Sequence, residues 1–183
     1  MSTIYSFAPI VGRQAKILIL GSMPGQASLA AGQYYAHQRN AFWPILSAWL
    51  QLHPDADYAA RITALQSSPI ALWDVLKSCK RRGSLDSGIE VDSEVINDFQ
   101  SFFQIQPALT HIFFNGGKAE TSFRRYVAST CDISAFKLMR LPSTSPAHAR
   151  LSLQEKSTFW HIALQIALQS PITTELPTLS SKR

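Results

Sequence analysis

The chain has 183 residues, 46% of them hydrophobic and 16% charged, with a formal net charge of +5 at pH 7. This composition excludes a disordered or collagen-like chain and fits one globular domain. The positive balance suits a polyanionic partner or simple solubility. Two cysteines, Cys79 and Cys131, lie far apart without metal-type spacing, so neither a structural zinc nor an iron–sulfur site is expected. The N-terminus has no basic-then-apolar leader and no apolar run approaches membrane length. A cytoplasmic protein without membrane association is therefore expected.

Residues 1–14 read as an irregular lead-in. Ala15 to Leu20 is a short apolar run stopped by Gly21, the pattern of a strand buried on both faces of a parallel sheet. Gly21-Ser22-Met23-Pro24-Gly25 then turns the chain, and its glycines allow close backbone approach to a ligand. Tyr34, Tyr35, His37, Gln38, Arg39 and Asn40 follow, a ligand-site composition just ahead of an apolar helix. In open α/β sheets, ligands bind at the carboxyl ends of the strands. The helix is predicted from about Ala41 to Leu52, with Pro44 in its first turn. Asn40 then has two readings, as the helix N-cap or as a functional amide.

A second helix is predicted from about Asp57 to Gln66, and a second buried strand from Ile70 to Leu76. Asp74 lies inside that apolar strand, so it either pairs structurally or faces a site. Lys77 to Ile89 is the most basic loop, with Lys77, Lys80, Arg81 and Arg82; it either binds phosphates or is solvated. Asp92 is expected to cap a helix from about Ser93 to Gln104. His111 to Asn115 is the third strand, and Gly116-Gly117-Lys118 opens a helix to about Tyr126. The Walker spacing is absent. Ala135 to Leu141 is the fourth strand. It delivers Pro142-Ser143-Thr144-Ser145-Pro146-Ala147-His148, a loop rich in proline and hydroxyl groups. The last helix is expected from about Ser152 to Gln169, with Leu153, Phe159, Ile162, Ala163, Ile166 and Ala167 buried. The domain is expected to span residues 1–169, and residues 170–183 read as a mobile tail.

Two blocks carry a resemblance. Gly21-Ser22-Met23-Pro24-Gly25, followed by Tyr35-Ala36-His37-Gln38-Arg39-Asn40-Ala41-Phe42-Trp43, resembles motif 1 of the uracil-DNA glycosylase superfamily, closest to its hypoxanthine-DNA glycosylase branch. Mismatch-specific relatives carry a Gly-x-Asn-Pro-Gly, where Met23 replaces the Asn. The Pro142 to Arg150 loop looks like motif 2, which enters the minor groove, with Ser143 where many relatives have His or Asn.

The alternation of strands and helices predicts parallel strands joined by right-handed crossovers. The resemblance implies a single three-layer α/β/α domain with a central four-stranded parallel sheet in the order 2-1-3-4. It also implies a monofunctional glycosylase that flips a deaminated base, hypoxanthine foremost, out of double- or single-stranded DNA and hydrolyses its N-glycosidic bond. Tyr35 matches the aromatic that stacks on the base. Asn40 takes the catalytic role that Met23 cannot fill. Gly21, Ser22, Met23, Asp74 and Asn115 are the further base-binding candidates; related proteins read the base with an Asn near the position of Asp74. Lys80, Arg81, Arg82, Ser143, Thr144, Ser145, Pro146 and His148 are the DNA-binding candidates. No metal or cofactor is needed, and a monomer is expected. The alternatives are a uracil or mismatch-specific enzyme of the same superfamily, or an inactive DNA- or nucleotide-binding module.

Overall fold

The computed structural model describes residues 2–169; the tail expected at 170–183 lies outside them. Thr3–Tyr5 (β1) and Ile10–Val11 (β2) precede the apolar run, whose strand is Ile17–Gly21 (β3). Gln26–Ala31 (α1), Phe42–Trp49 (α2) and Tyr58–Gln66 (α3) lead to Ile70–Asp74 (β4), Leu76–Lys80 (β5) and Val95–Ile96 (β6). Phe99–Ile105 (α4), His111–Asn115 (β7), Gly117–Ser122 (α5), Lys137–Leu141 (β8) and Leu153–Gln169 (α6) complete the order.

Strands β4, β3, β7 and β8 are parallel neighbours in that order, the 2-1-3-4 arrangement of the four expected strands. The sheet nevertheless has five strands, because β2 adds antiparallel to the outer edge of β4. Alternate residues of each parallel strand face opposite sides. Ile17, Ile19, Ile70, Leu72 and Phe113 meet α2, α3 and α6. Leu18, Leu20, Ala71, Trp73, Ile112 and Phe114 meet α4, α5 and the π-helical turn after it, through Phe99, Phe102, Ala119, Phe123 and Val127. The sheet is thus covered on both faces, which is why its strands read as continuous apolar runs.

Several expectations fail where local signals were short. The lead-in holds two strands. The second expected strand ends at Asp74, and Leu76 already belongs to another sheet, the antiparallel β1-β5-β6. The basic segment therefore starts as strand β5. No α-helix starts at Asp92, which lies in the single 3₁₀ turn Val91–Ser93. The β-branched pair Val95 and Ile96 joins β5 instead, and Asp98 caps α4, its Oδ1 accepting from the Ser101 N–H at 3.0 Å. The short α1 was not foreseen. On α6, Leu153, Phe159, Ile162 and Ile166 are exposed, while Lys156, Trp160, Ala163, Leu164 and Ala167 are buried. Trp160 decides that face: its indole N–H donates to the Pro142 carbonyl at 2.9 Å and its ring fills the core.

Trp160→Ala is expected to cost roughly 3–5 kcal/mol. Phe159→Ala, one residue earlier, should stay within about 0.5 kcal/mol. Urea unfolding of both variants distinguishes this helix face from the one expected from the sequence.

Candidate active site

A cleft of about 700 Å³ opens at the carboxyl ends of the parallel strands. It is walled by the Gly21–Gly25 turn, by Tyr34 to Asn40, by Asp74, by Asn115 and by Ser143 to His148. The β4–β5 junction clamps the first wall. The Val75 N–H donates to the Gly21 carbonyl at 2.9 Å and the Leu76 N–H to that of Ser22 at 3.1 Å. Arg81 Nη2 donates to the Pro24 carbonyl at 2.6 Å, and the Ser22 hydroxyl donates to Asp86 Oδ1 at 2.7 Å.

Gly21 stands opposite Asp74 in the β3–β4 register. A Cβ at residue 21 would lie 2.3 Å from Asp74 Oδ1 and 2.8 Å from Tyr35 Oη. Only glycine leaves that space. Asp74 is 3% exposed. Burial pushes its carboxyl up to about 7, helped by the negative charge of Asp86 and opposed by Arg81. The Asp86 carboxyl is also raised by burial, although the Ser22 hydroxyl and Arg81 oppose that. Tyr35 has a left-handed backbone, φ 54°, a conformation that costs energy and clusters at functional sites. Its ring lies on that of Phe42, centroids 3.9 Å apart and 20° from parallel. Burial, and then the charge of Asp74, raise the Tyr35 phenol, so it remains an O–H donor.

Asn40 lines the cleft and also holds the start of α2. Its Oδ1 accepts the Phe42 N–H at 3.0 Å. The residue before the helix is Ala41, without a side-chain cap, so Asn40 makes an Asx turn one position earlier. Asn115 reaches the cleft but is fastened to Thr144: its Nδ2 donates to Thr144 Oγ1 and its Oδ1 accepts the Thr144 N–H, each at 2.8 Å. Gly116, at φ 95°, lets Ser143 pass beside it; a Cβ there would meet Ser143 Cβ at 2.9 Å. Buried Lys156 donates to the Ser145 carbonyl at 3.4 Å from beneath.

The structure thus gathers Asn40, Gly21, Ser22, Tyr35, Asp74, Ser143, Ser145, Pro146 and His148 around one cleft. It corrects others. Met23 touches the wall but is buried against Leu76, Cys79 and Ile89, where its apolar side chain anchors the turn. Asn115 also lines the cleft, and its two bonds to Thr144 make it hold a loop as well. Thr144 is 1% exposed, with its hydroxyl turned inward, and cannot face phosphates. Lys80 and Arg82 are exposed outside the cleft, where solvent or flanking phosphates can reach them. Arg81 is 7% exposed, its Nε and Nη2 bonded to the carbonyls of Gly83 and Pro24 and its buried Nη1 without a hydrogen-bond partner among the described residues. Lys118, at the cleft edge, is ion-paired with Glu94. Sequence reasoning missed Asp86 and its turn, Ser84 to Ser87, which also line the cleft. The available signal was the pair Gly83 and Gly88 bracketing an acid inside a basic run.

Arg81→Ala should destabilise the fold by roughly 2–3 kcal/mol, because two charge-assisted bonds are lost. Arg82→Ala should change stability by less than about 0.5 kcal/mol; chemical denaturation compares them. Asp74 holds its proton to about pH 7 when folded and only to the ordinary 3.8 when unfolded. Its charge therefore removes stability as pH rises through that window. Asp74→Asn should melt above the wild type at pH 8, and the gap should close as pH falls toward 4. Melting curves at both ends test the sign.

A family model of the uracil DNA glycosylase superfamily matches residues 9–165. The hypoxanthine DNA glycosylase of Methanosarcina acetivorans is 34% identical over 155 residues, 82% of this chain and 92% of the relative. That of Methanosarcina barkeri is 39% identical over 114 residues, 62% of this chain and 71% of the relative. A solution NMR structure from Methanosarcina acetivorans, described as a candidate uracil DNA glycosylase, superposes with a TM-score of 0.75. Its identity is 30%, covering 91% of this chain and 99% of the other. With the strand-end cleft, its glycine-bordered turn and a match over most of its length, the chain belongs to the uracil-DNA glycosylase superfamily.

Proposed function

We propose that the protein is a DNA glycosylase that takes a deaminated base, hypoxanthine foremost, out of the DNA stack into the cleft and hydrolyses its N-glycosidic bond. The observation that carries this reading is Tyr35. Phe42 covers one face of its ring, and the residue lines a cleft large enough for a purine. The two relatives named for hypoxanthine supply the choice of base. Extrusion is required because the scissile bond is out of reach inside the duplex.

The base stacks on the cleft side of Tyr35, above Gly21 and Asp74. Asn40 keeps its oxygen on the Phe42 N–H, which fixes the amide plane. Its Nδ2 has no partner among the described residues and is available to a water or to the departing base. The bond breaks toward a sugar cation, so orientation and fixed dipoles do much of the work. Ser143, Ser145, Pro146 and His148 on the cleft wall hold the flanking backbone. We read the protein as a monomer acting on DNA inside the cell. Uracil shares the carbonyl–N–H edge of hypoxanthine, so it is the second substrate to test. The test is single-turnover base release from duplex and single-stranded DNA carrying inosine, uracil, xanthine or mismatched thymine. No release from any of them would leave only a binding module.

Asn40→Ala should slow hypoxanthine release by about 100-fold or more, cost roughly 0.5–2 kcal/mol of stability and change duplex affinity little. Asn40→Ser should restore the turn but not the release. Full activity in Asn40→Ser at wild-type stability would reduce the residue to a helix-start device.

A further inference from the structure

Asp74 Oδ2, on a residue that lines the cleft beside Gly21, has no hydrogen-bond partner among the described residues, although solvent does not reach it. Buried polar atoms are nearly always paired. Such an atom on a residue that lines a cleft points to a ligand edge that pairs it. The groups that face Asp74 come from three elements. Asp86 comes from the turn after β5, Arg81 from the end of β5, and Tyr34 and Tyr35 from the segment after α1. Lys118 and Glu94 act on Asp86 behind it. His37, Arg39 and His148 lie elsewhere on the wall.

The proton has one favoured home in this set. Arg81 is close enough to act on both carboxyls, but its Nε and Nη2 go to the Gly83 and Pro24 carbonyls and its buried Nη1 has no hydrogen-bond partner among the described residues, so it donates to neither carboxyl. Asp86 receives the Ser22 hydroxyl, which favours its ionised form. Asp74 receives no such donor on Oδ2. When two neighbouring carboxyls differ in this way, the unsupported one keeps the proton. A protonated carboxyl offers an O–H donor beside a carbonyl acceptor. That pair fits the carbonyl–N–H edge of hypoxanthine.

We propose that Asp74 is the acid of the reaction, passing a proton to the base as it leaves. The proposal rests on the glycosylase reading and names the group that activates the leaving purine. As the bond between the sugar C1′ and the base N9 breaks, its electron pair moves into the purine. The Asp74 proton moves to the six-position oxygen, the base departs neutral, and it returns to its carbonyl tautomer in water. The oxygen of a water molecule bonds to C1′, and the proton that this water releases returns through solvent to the Asp74 carboxylate. One water is consumed, and no oxidant, reductant or second substrate is required.

The experiment is single-turnover release of hypoxanthine from an inosine duplex between pH 5.5 and 9, for the wild type, Asp74→Asn and Asp86→Asn, each with a melting curve. The wild-type rate should be level at low pH and fall about tenfold per unit above roughly pH 7. Asp74→Asn should be slower by about 100-fold or more at pH 6, and its fall above neutrality should vanish. Asp86→Asn should move the wild-type midpoint to lower pH, because a like charge beside Asp74 is gone. This second variant keeps the test decisive if Asp74→Asn does not fold. A level wild-type rate, an unchanged profile in Asp74→Asn, or an unmoved midpoint in Asp86→Asn would overturn the acid role while leaving the glycosylase reading intact. A wild type that releases no hypoxanthine at any pH would overturn both.

Discussion

The carboxyl of Asp74 occupies the space that a side chain at residue 21 would need. Much else follows from that. The β3–β4 register sets Gly21 opposite Asp74, so the first turn must begin with glycine. A carboxyl removed from water costs several kcal/mol unless its surroundings compensate. Here the compensation is partial, since one oxygen has no partner. A fold can keep such a group only where the walls cannot relax around it. The Val75, Leu76 and Arg81 bonds to the turn supply that rigidity. Arg81 thus contributes most as a brace, and its charge acts on Asp74 without being spent on it.

The opposite wall solves a different problem. A loop with two prolines and three hydroxyls would be free to move if it hung from β8 alone. Asn115 and Thr144 bind each other through two reciprocal bonds, and the Ala41 N–H donates to the Thr144 carbonyl at 3.0 Å. Lys156 and Trp160 hold Ser145 and Pro142 from α6. Burial lowers the Lys156 ammonium, a cost accepted to fix one carbonyl. The loop therefore turns its middle hydroxyl inward and leaves Ser143 and Ser145 nearer the surface.

How much of this was legible depended on signal length. The four parallel strands were readable because burial on both faces writes an uninterrupted apolar run, and β7 is bounded as expected at His111 and Asn115. The cleft was readable because glycine, proline, aromatics and an amide crowd the end of one such run. Two-residue strands such as β2 and β6 write almost nothing, since their pairing is decided by a distant partner. The face of α6 was misread for a related reason. Apolar spacing alone allowed two stripes, and a hydrogen bond from Trp160 to a loop 18 residues away chose between them. Arg81 looked like a free cation because its acceptors, the carbonyls of Pro24 and Gly83, carry no side-chain identity. Backbone acceptors are invisible in sequence.

The same limit explains why Asn40 could be read two ways, and why the two readings are not rivals. Its oxygen takes the Phe42 N–H, so the residue does start the helix. Phe42 in turn backs the Tyr35 ring, and the Tyr35 hydroxyl ends beside Gly21 and Asp74. One short chain of contacts therefore runs from the first residue of α2 to the floor of the cleft. Fixing the helix start fixes the plane of the Asn40 amide and the tilt of the aromatic ring together. Catalysis by positioning needs that coupling, since a displacement near 1 Å can cost about 100-fold in rate. The strained Tyr35 backbone is tolerable for the same reason: it is held from both sides, by the Phe42 stack and by the Trp43 indole N–H bonded to the Tyr34 carbonyl at 2.7 Å.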